Sequence, residues 1–162
     1  DKVVCLGTMN PYKELEKLVD VFNANGMKLE IAGRFLDQQR YLDLQHRAKD
    51  NVIVENVVLS EDDYYKKLAG AKYSILPYDM KVYEGRTSGV LLESIFVGTI
   101  PIAPKRMLEE NEVRGIGYDT LQELLESSFF NNIRIEKEEN LLIDKNMIKG
   151  AIYDWMCGIV NG

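Results

Sequence analysis

Short β-branched runs alternate with longer stretches of helical spacing, and that alternation constrains the fold of this chain more than any other feature. Lys2-Val3-Val4-Cys5-Leu6 reads as a strand ending at Gly7-Thr8. From Tyr12 onward Leu15, Leu18, Val19 and Phe22 recur at helical spacing, up to a stop at Asn25-Gly26. Residues 28–32 form a second strand closed by Gly33-Arg34, and residues 38–49 a polar helix with Tyr41, Leu44 and Ala48 on one side. Val52-Ile53-Val54 begins a third strand, which the pattern lets run through Val57-Val58. Ser60-Glu61-Asp62-Asp63 is a helix start, an N-cap hydroxyl followed by acids where the helix dipole favours them. Lys72-Tyr73-Ser74-Ile75-Leu76 is a fourth strand stopped by Pro77; a helix over 88–97 ends at Gly98, and Ile100-Pro101-Ile102-Ala103 is the fifth strand. The order β-α-β-α-β-α-β-α-β predicts a parallel sheet covered on both faces: an α/β, doubly wound, Rossmann-like domain of three layers, α/β/α, over residues 1–162. Further on, Gly115-Ile116-Gly117-Tyr118 reads as a short edge strand. Leu121, Leu124, Leu125 and Phe129 line an amphipathic helix, and residues 143–160 read as a last helix.

A chain of 162 residues can bury one substantial core, and 46% hydrophobic with 28% charged residues is ordinary for a globular domain. No apolar run approaches the roughly 20 residues of a membrane span. The formal net charge of −6 argues against a non-specific nucleic-acid binder, which needs a basic face. An anionic small ligand stays open, because binding follows local charge. Cys5 and Cys157 lie far apart with no CxxC spacing, so each reads as a small buried hydrophobe in a reducing compartment. The opening Asp1-Lys2-Val3-Val4 lacks Met and falls inside a strand-like run, so the chain is expected to be part of something longer.

Ligands of open α/β sheets bind outside the carboxyl ends of the strands. That rule selects the segment from Gly7-Thr8 through Asn10 to Lys13, then Gly33-Arg34, residues 77–89, and Pro104-Lys105-Arg106. The selection is locally basic, with Lys13, Arg34, Lys81, Arg86, Lys105 and Arg106. A single lysine after a strand is ordinarily just solvated; six cations at one rim with helix N-termini suit phosphate or diphosphate. GxGxxG and GxxxxGK[ST] are both missing, which supports neither a dehydrogenase nor a P-loop enzyme. Thr87-Ser88-Gly89 opens the 88–97 helix with small residues that leave backbone N–H groups uncovered. One turn in, Glu93 is flanked by Leu91, Leu92, Ile95 and Phe96, and a carboxylate there is costly unless hydrogen-bonded. It lies on an exposed stripe, or it accepts from ligand hydroxyls such as a ribose diol. His46 reads as a surface or structural residue, and no metal-ligand cluster or glycosidase-like acid pair is present.

Ser88-Gly89-Val90-Leu91-Leu92-Glu93-Ser94 followed by Gly98-Thr99-Ile100-Pro101-Ile102-Ala103 resembles the hallmark segment of family 4 retaining glycosyltransferases of the GT-B fold, G-x-V-x-L-E-A-M-A-x-G-x-P-V-I-A. Upstream, Leu6-Gly7-Thr8 with Lys13 and the run from Leu18 to Phe22 is similar to V-G-R-L-x-x-x-K-G…L-I-x-A-F. Leu29-Glu30-Ile31-Ala32-Gly33 is similar to the L-x-I-x-G strand, residues 51–57 to N-V-x-F-x-G-x-V, and residues 73–77 to the strand ending in P-S. The ordered agreement covers about residues 3–105.

The resemblance implies the C-terminal, nucleotide-sugar donor-binding half of a GT-B enzyme, with the acceptor-binding N-terminal domain absent. It implies that Glu93 binds ribose hydroxyls, that backbone amides at Ser88, Gly89 and Val90 face the distal phosphate and sugar, and that Lys13 stabilises the diphosphate as leaving group. Trp155 resembles a late aromatic-Ser-Trp motif before a helix, here about 144–160, that returns toward the missing domain. The family's phosphate-binding Arg falls on Thr8, which leaves Arg86 or Arg34 to take that role. The first acid of its E-x7-E pattern falls on Gly85, with Glu84 one residue out of register. A one-residue loop insertion would bring Glu84 to the sugar, and otherwise the sugar is contacted differently. The implied enzyme transfers a sugar from a nucleotide-diphosphate donor to a glycan or lipid acceptor in polysaccharide or glycoconjugate biosynthesis, without cofactor or metal. It would be cytoplasmic, with peripheral membrane association of the full-length protein allowed. Two other readings stay open: a GT-B-fold sugar-nucleotide epimerase, and a non-catalytic flavodoxin-like or receiver-like module.

Overall fold

The computed structural model describes residues 2–83, 85–126 and 129. Six strands form one parallel sheet: β1 (Lys2–Leu6), β2 (Lys28–Gly33), β3 (Val52–Asn56), β4 (Tyr73–Ile75), β5 (Ile100–Pro104) and β6 (Ile116–Tyr118). Their spatial order is β3-β2-β1-β4-β5-β6, with β1 at the centre paired to β2 from Lys2↔Lys28 to Leu6↔Ala32 and to β4 at Val3↔Tyr73. This is the doubly wound order expected from the alternation, and it reverses between β1 and β4.

Helices α1 (Leu15–Asn25), α2 (Gln38–Arg47), α3 (Glu61–Ala69), α5 (Gly89–Val97) and α6 (Lys105–Glu110) connect the strands, with one turn, α4 (Met80–Tyr83), before α5. Alternate strand residues bury on opposite faces. Val3, Cys5, Ile31 and Ile75 pack with Leu15, Leu18 and Phe22 of α1 and with Leu44 of α2. On the other face Val4, Leu6 and Ala32 pack with Leu68 of α3 and with Val97 of α5. Leu91 of α5 and Met107 of α6 close over Leu76 and Ala103. Glu30 is a buried acid of the sheet, and it is bridged by Lys67 and, at 2.5 Å, by Lys2.

The helix ends follow their punctuation. Gly26 and Gly98 take left-handed conformations, φ 73° and 81°, after α1 and α5. The Ser60 hydroxyl accepts from the Asp63 amide at 3.2 Å, as an N-cap does. Three expectations shift. β3 stops at Asn56, so Val57-Val58 is loop, because the Asn56 side chain turns out to accept from the Phe35 amide. Lys105 and Arg106, read from the sequence as rim cations after the fifth strand, begin a helix, α6. The helix expected from Leu121 is a 3-10 segment, Leu121–Leu125, entered through a Thr120–Glu123 capping box; Phe129 packs on the main core. The last predicted helix, with Trp155 and Cys157, lies outside the described residues. Among the described residues no helix is long and apolar enough to cross a membrane.

Candidate functional site: a cleft at the sheet's switch point

Because the chain leaves β1 and β4 toward opposite edges of the sheet, their carboxyl ends part and leave a crevice. A cleft of about 560 Å³ opens there, a size that suits a nucleotide-sized ligand. Four segments line it. Gly7, Thr8, Asn10 and Lys13 come from the β1–α1 connection, and Leu59, Glu61 and Tyr64 from the entry to α3. Tyr78 and Tyr83 follow β4, and Ser88, Gly89, Val90 and Glu93 belong to the start of α5.

The first connection is fixed from outside. Arg40 of α2 donates to the carbonyls of Asn10 (2.9 Å) and Lys13 (2.7 Å) while its guanidinium pairs with Glu16. The Glu14 amide donates to Pro77 at 2.7 Å and the Asp79 amide to Tyr12 at 2.9 Å, tying the loops after β1 and β4 together. Gly33 sits so close to Gly7 that an added Cβ would lie 1.8 Å from the Gly7 carbonyl oxygen. Only a glycine there lets the ends of β1 and β2 run side by side.

Lys13 is held in this frame at 3% exposure. Its ammonium donates to the Leu6 carbonyl at 2.8 Å and lies 5.7 Å from the Tyr78 ring centre. Among the described residues no carboxylate pairs with it. Burial pushes its pKa below the usual lysine value, with the nearby Cys5 thiol acting weakly the other way. A second donor meets the Met9 sulfur at 3.9 Å, a weak acceptor, and the third remains for a ligand. Gly7, at φ 92°, separates this ammonium from Val90, since a Cβ on Gly7 would sit 3.9 Å from Lys13 Nζ and 3.4 Å from Val90 Cγ2. The buried cation therefore faces the first turn of α5.

That turn is open to an anion. Ser88 is the N-cap, yet its side chain makes no capping bond and is buried against the Tyr78 hydroxyl. No acid occupies the first turn of α5, whereas α3 carries Glu61, Asp62 and Asp63 in its own. Of the α3 and α5 N-termini at the cleft, α5 is the one with neither a side-chain cap nor an acid in its own first turn.

Glu93 projects from the next turn, half-buried, and resolves the two sequence readings differently from either alone. It lines the cleft, and its Oε2 accepts a hydrogen bond from the Tyr64 hydroxyl of α3. Burial, first, and this contact with Glu93 push the Tyr64 phenol far above its ordinary pKa, so it stays a donor. Tyr64 escaped the sequence reading because a Tyr one turn into a helix signals packing; only the α3–α5 contact reveals its partner.

Thr8, Lys13, Ser88, Gly89, Val90 and Glu93 are thus brought together. The expected rim of six cations is not. Arg34 and Lys81 are exposed and do not line the cleft; Lys105 pairs with Asp119, and Arg106 with Glu110 at 2.8 Å. Arg86 lies over the Tyr12 ring, 5.5 Å from its centre, beside the cleft rather than in its wall. Glu84 lies outside the described residues. His46 is exposed in the last turn of α2, away from the cleft.

Fold and cleft together define a Rossmann-like domain that presents one buried cation and one open helix N-terminus at its switch point. No protein-family profile matches the sequence, and no curated protein matches it. Solved structures do share the fold. The C-terminal domain of a glycosyl transferase group 1 family protein from Francisella tularensis superposes with a TM-score of 0.69 at 9% identity, over 94% of this chain and 85% of that one. The starch synthase IV catalytic domain of Arabidopsis thaliana, bound to ADP and acarbose, gives 0.65 at 15%, over 96% of this chain and 36% of that one. AviGT4, a glycosyltransferase of avilamycin A biosynthesis, gives 0.57 at 14% over the whole chain. The chain spans about half of AviGT4, 52% of its length. A putative UDP-N-acetylglucosamine 2-epimerase from Listeria monocytogenes also matches, at 0.52 and 10%, over 86% of this chain and 38% of that one. At such identities the likeness shows the fold: that of the C-terminal domain of GT-B glycosyltransferases.

Proposed function

We propose that this chain is the donor-binding half of a glycosyltransferase and holds a nucleoside-diphosphate sugar in the cleft. The observation that carries the reading is Lys13: a lysine at 3% exposure, with no carboxylate partner among the described residues, facing the uncapped first turn of α5. Burying a cation without an anion is costly, and a diphosphate supplies the missing charge. On this reading the Ser88, Gly89 and Val90 amides meet the distal phosphate, and Glu93 meets the ribose. Lys13 stabilises the charge that grows on the diphosphate as the glycosidic bond breaks. Arg86, beside the cleft, is the second cation able to swing toward the phosphates. The sugar passes, with retained anomeric configuration, to a glycan or lipid acceptor seated in a second, N-terminal domain. Neither metal nor cofactor is required.

The structural neighbours support this reading by fold, and one of them, the starch synthase IV catalytic domain, is bound to ADP and acarbose. The epimerase reading relies on a His together with acid residues at the cleft. The single His of the chain, His46, stands on α2 and lines no part of it. A receiver-like module needs paired acids after β1, where this chain has Gly7-Thr8-Met9-Asn10.

Calorimetric titration of the chain with UDP, GDP, ADP and their glucose conjugates tests the proposal. Weak binding of at least one is expected, with no sugar transfer by this domain alone. An absence of binding by all of them at millimolar concentration would overturn it.

A further inference from the structure

The Tyr64–Glu93 contact bears on how the cleft reads a ligand's hydroxyls, and it crosses between two helices. Tyr64 sits one turn inside α3, its amide bonded to the Ser60 carbonyl at 2.9 Å. Its ring packs beside the Val4, Leu6 and Leu68 cluster and edge-on to Tyr65, with centroids 5.4 Å apart at 82°. The phenol is thereby held in one place and aimed at the cleft, which it lines together with Glu93.

Polarity in this pair is fixed by chemistry. An ionised carboxylate only accepts, so the Tyr64 O–H donates to Glu93 Oε2 and the phenolic oxygen keeps its own lone pairs. Glu93 Oε1 is left for a ligand. It lies beside Gly89, where an added Cβ would come to 3.8 Å from it, so no side chain stands between Oε1 and the open first turn of α5. Two acceptors of different character, Glu93 Oε1 and Tyr64 Oη, therefore face the same space.

We infer that Tyr64 is a specificity-determining residue: by occupying Glu93 Oε2 it limits the carboxylate to one ligand hydroxyl and offers its own oxygen to the second hydroxyl of a vicinal diol. The inference rests on the proposed nucleotide reading, with the ribose as the diol. A lone carboxylate is free to rotate and follow whichever single hydroxyl a ligand offers. The Tyr64–Glu93 pair cannot rotate without breaking its internal bond. The ligand must then present two adjacent O–H donors, and a deoxyribose loses one contact while the acceptor left behind is unsatisfied.

The test compares UDP, GDP and ADP with their 2′-deoxy and 3′-deoxy counterparts by calorimetry, on the wild-type chain and on Tyr64→Phe. Phe keeps the ring and its packing, and an unchanged melting temperature and circular dichroism spectrum verify the fold. The wild type should favour the ribonucleotide over at least one deoxy form by about tenfold. Tyr64→Phe should weaken the ribonucleotide and shrink that preference to about twofold or less, while binding of the disfavoured deoxy form stays nearly unchanged. If Tyr64→Phe leaves the preference intact, or weakens all forms equally, Tyr64 is packing only and the inference falls while the nucleotide reading stands. If the wild type binds none of these nucleotides, both fall.

Discussion

At the scale of single residues, Lys13 shows how a cost to folding marks a site. Its ammonium is stripped of water by the residues that bury it, and the Leu6 carbonyl and Tyr78 ring replace only part of the lost hydration. The folded pKa lies below the ordinary 10.5, so between the two values the native state holds fewer protons than the unfolded chain. Stability therefore rises with pH through that window, and affinity for a diphosphate falls through it as the cation is lost. Lys13→Met keeps the volume and removes the charge. It should leave stability equal or higher by about 1 kcal/mol, yet weaken nucleoside diphosphate binding about tenfold or more at neutral pH. Titrations that approach the ordinary lysine value of 10.5 from below should show declining affinity in the wild type and a flat profile in Lys13→Met. A variant that loses stability without losing affinity would instead make Lys13 a structural residue. Glu93 was legible in the sequence as an anomaly, an acid among Leu and Ile, but its partner Tyr64 was not. Helical spacing identifies which residues share one helix face, not which neighbouring helix packs there.

Among elements, most of the fold was legible because each strand and helix carries its own punctuation. Gly26, Gly98 and Ser60 stop or start helices by local backbone chemistry, and the structure places them in those roles. What local chemistry does not determine is where connecting segments settle. Lys105 and Arg106 read as rim cations because they follow β5; in the fold they open α6 and face Asp119 and Glu110. Arg40 reads as one more charge on a polar helix, and in the fold it clamps the Asn10 and Lys13 carbonyls. Gly33 is the element-scale counterpart. Its lack of a side chain lets β2 pass the Gly7 carbonyl, so Gly33→Ala must push the two loops apart. We expect a loss of about 2–3 kcal/mol together with weaker nucleotide binding. Gly26→Ala meets no atom within 4 Å and strains only a φ of 73°, costing about 1 kcal/mol. Thermal unfolding and calorimetry on both variants separate the cases: equal losses, or unaltered binding in Gly33→Ala, would contradict the close approach as the support of the cleft.

For the whole molecule, function follows from topology before it follows from any side chain. A sheet ordered β3-β2-β1-β4-β5-β6 has one place where its connections diverge, and that place is where Lys13, Glu93 and the open end of α5 meet. The chain spans about half of AviGT4, and on the proposed reading the acceptor side of the reaction lies in the other half. The central claim is that the switch-point cleft takes a nucleoside diphosphate. Amide chemical-shift mapping by NMR during titration with UDP, GDP and ADP tests it most directly. For at least one of them, saturable shifts are expected at Gly7, Thr8, Lys13, Ser88, Gly89, Val90 and Glu93, with the β3 edge unmoved. Shifts that avoid these residues, or no saturable shift with any of the three, would contradict it.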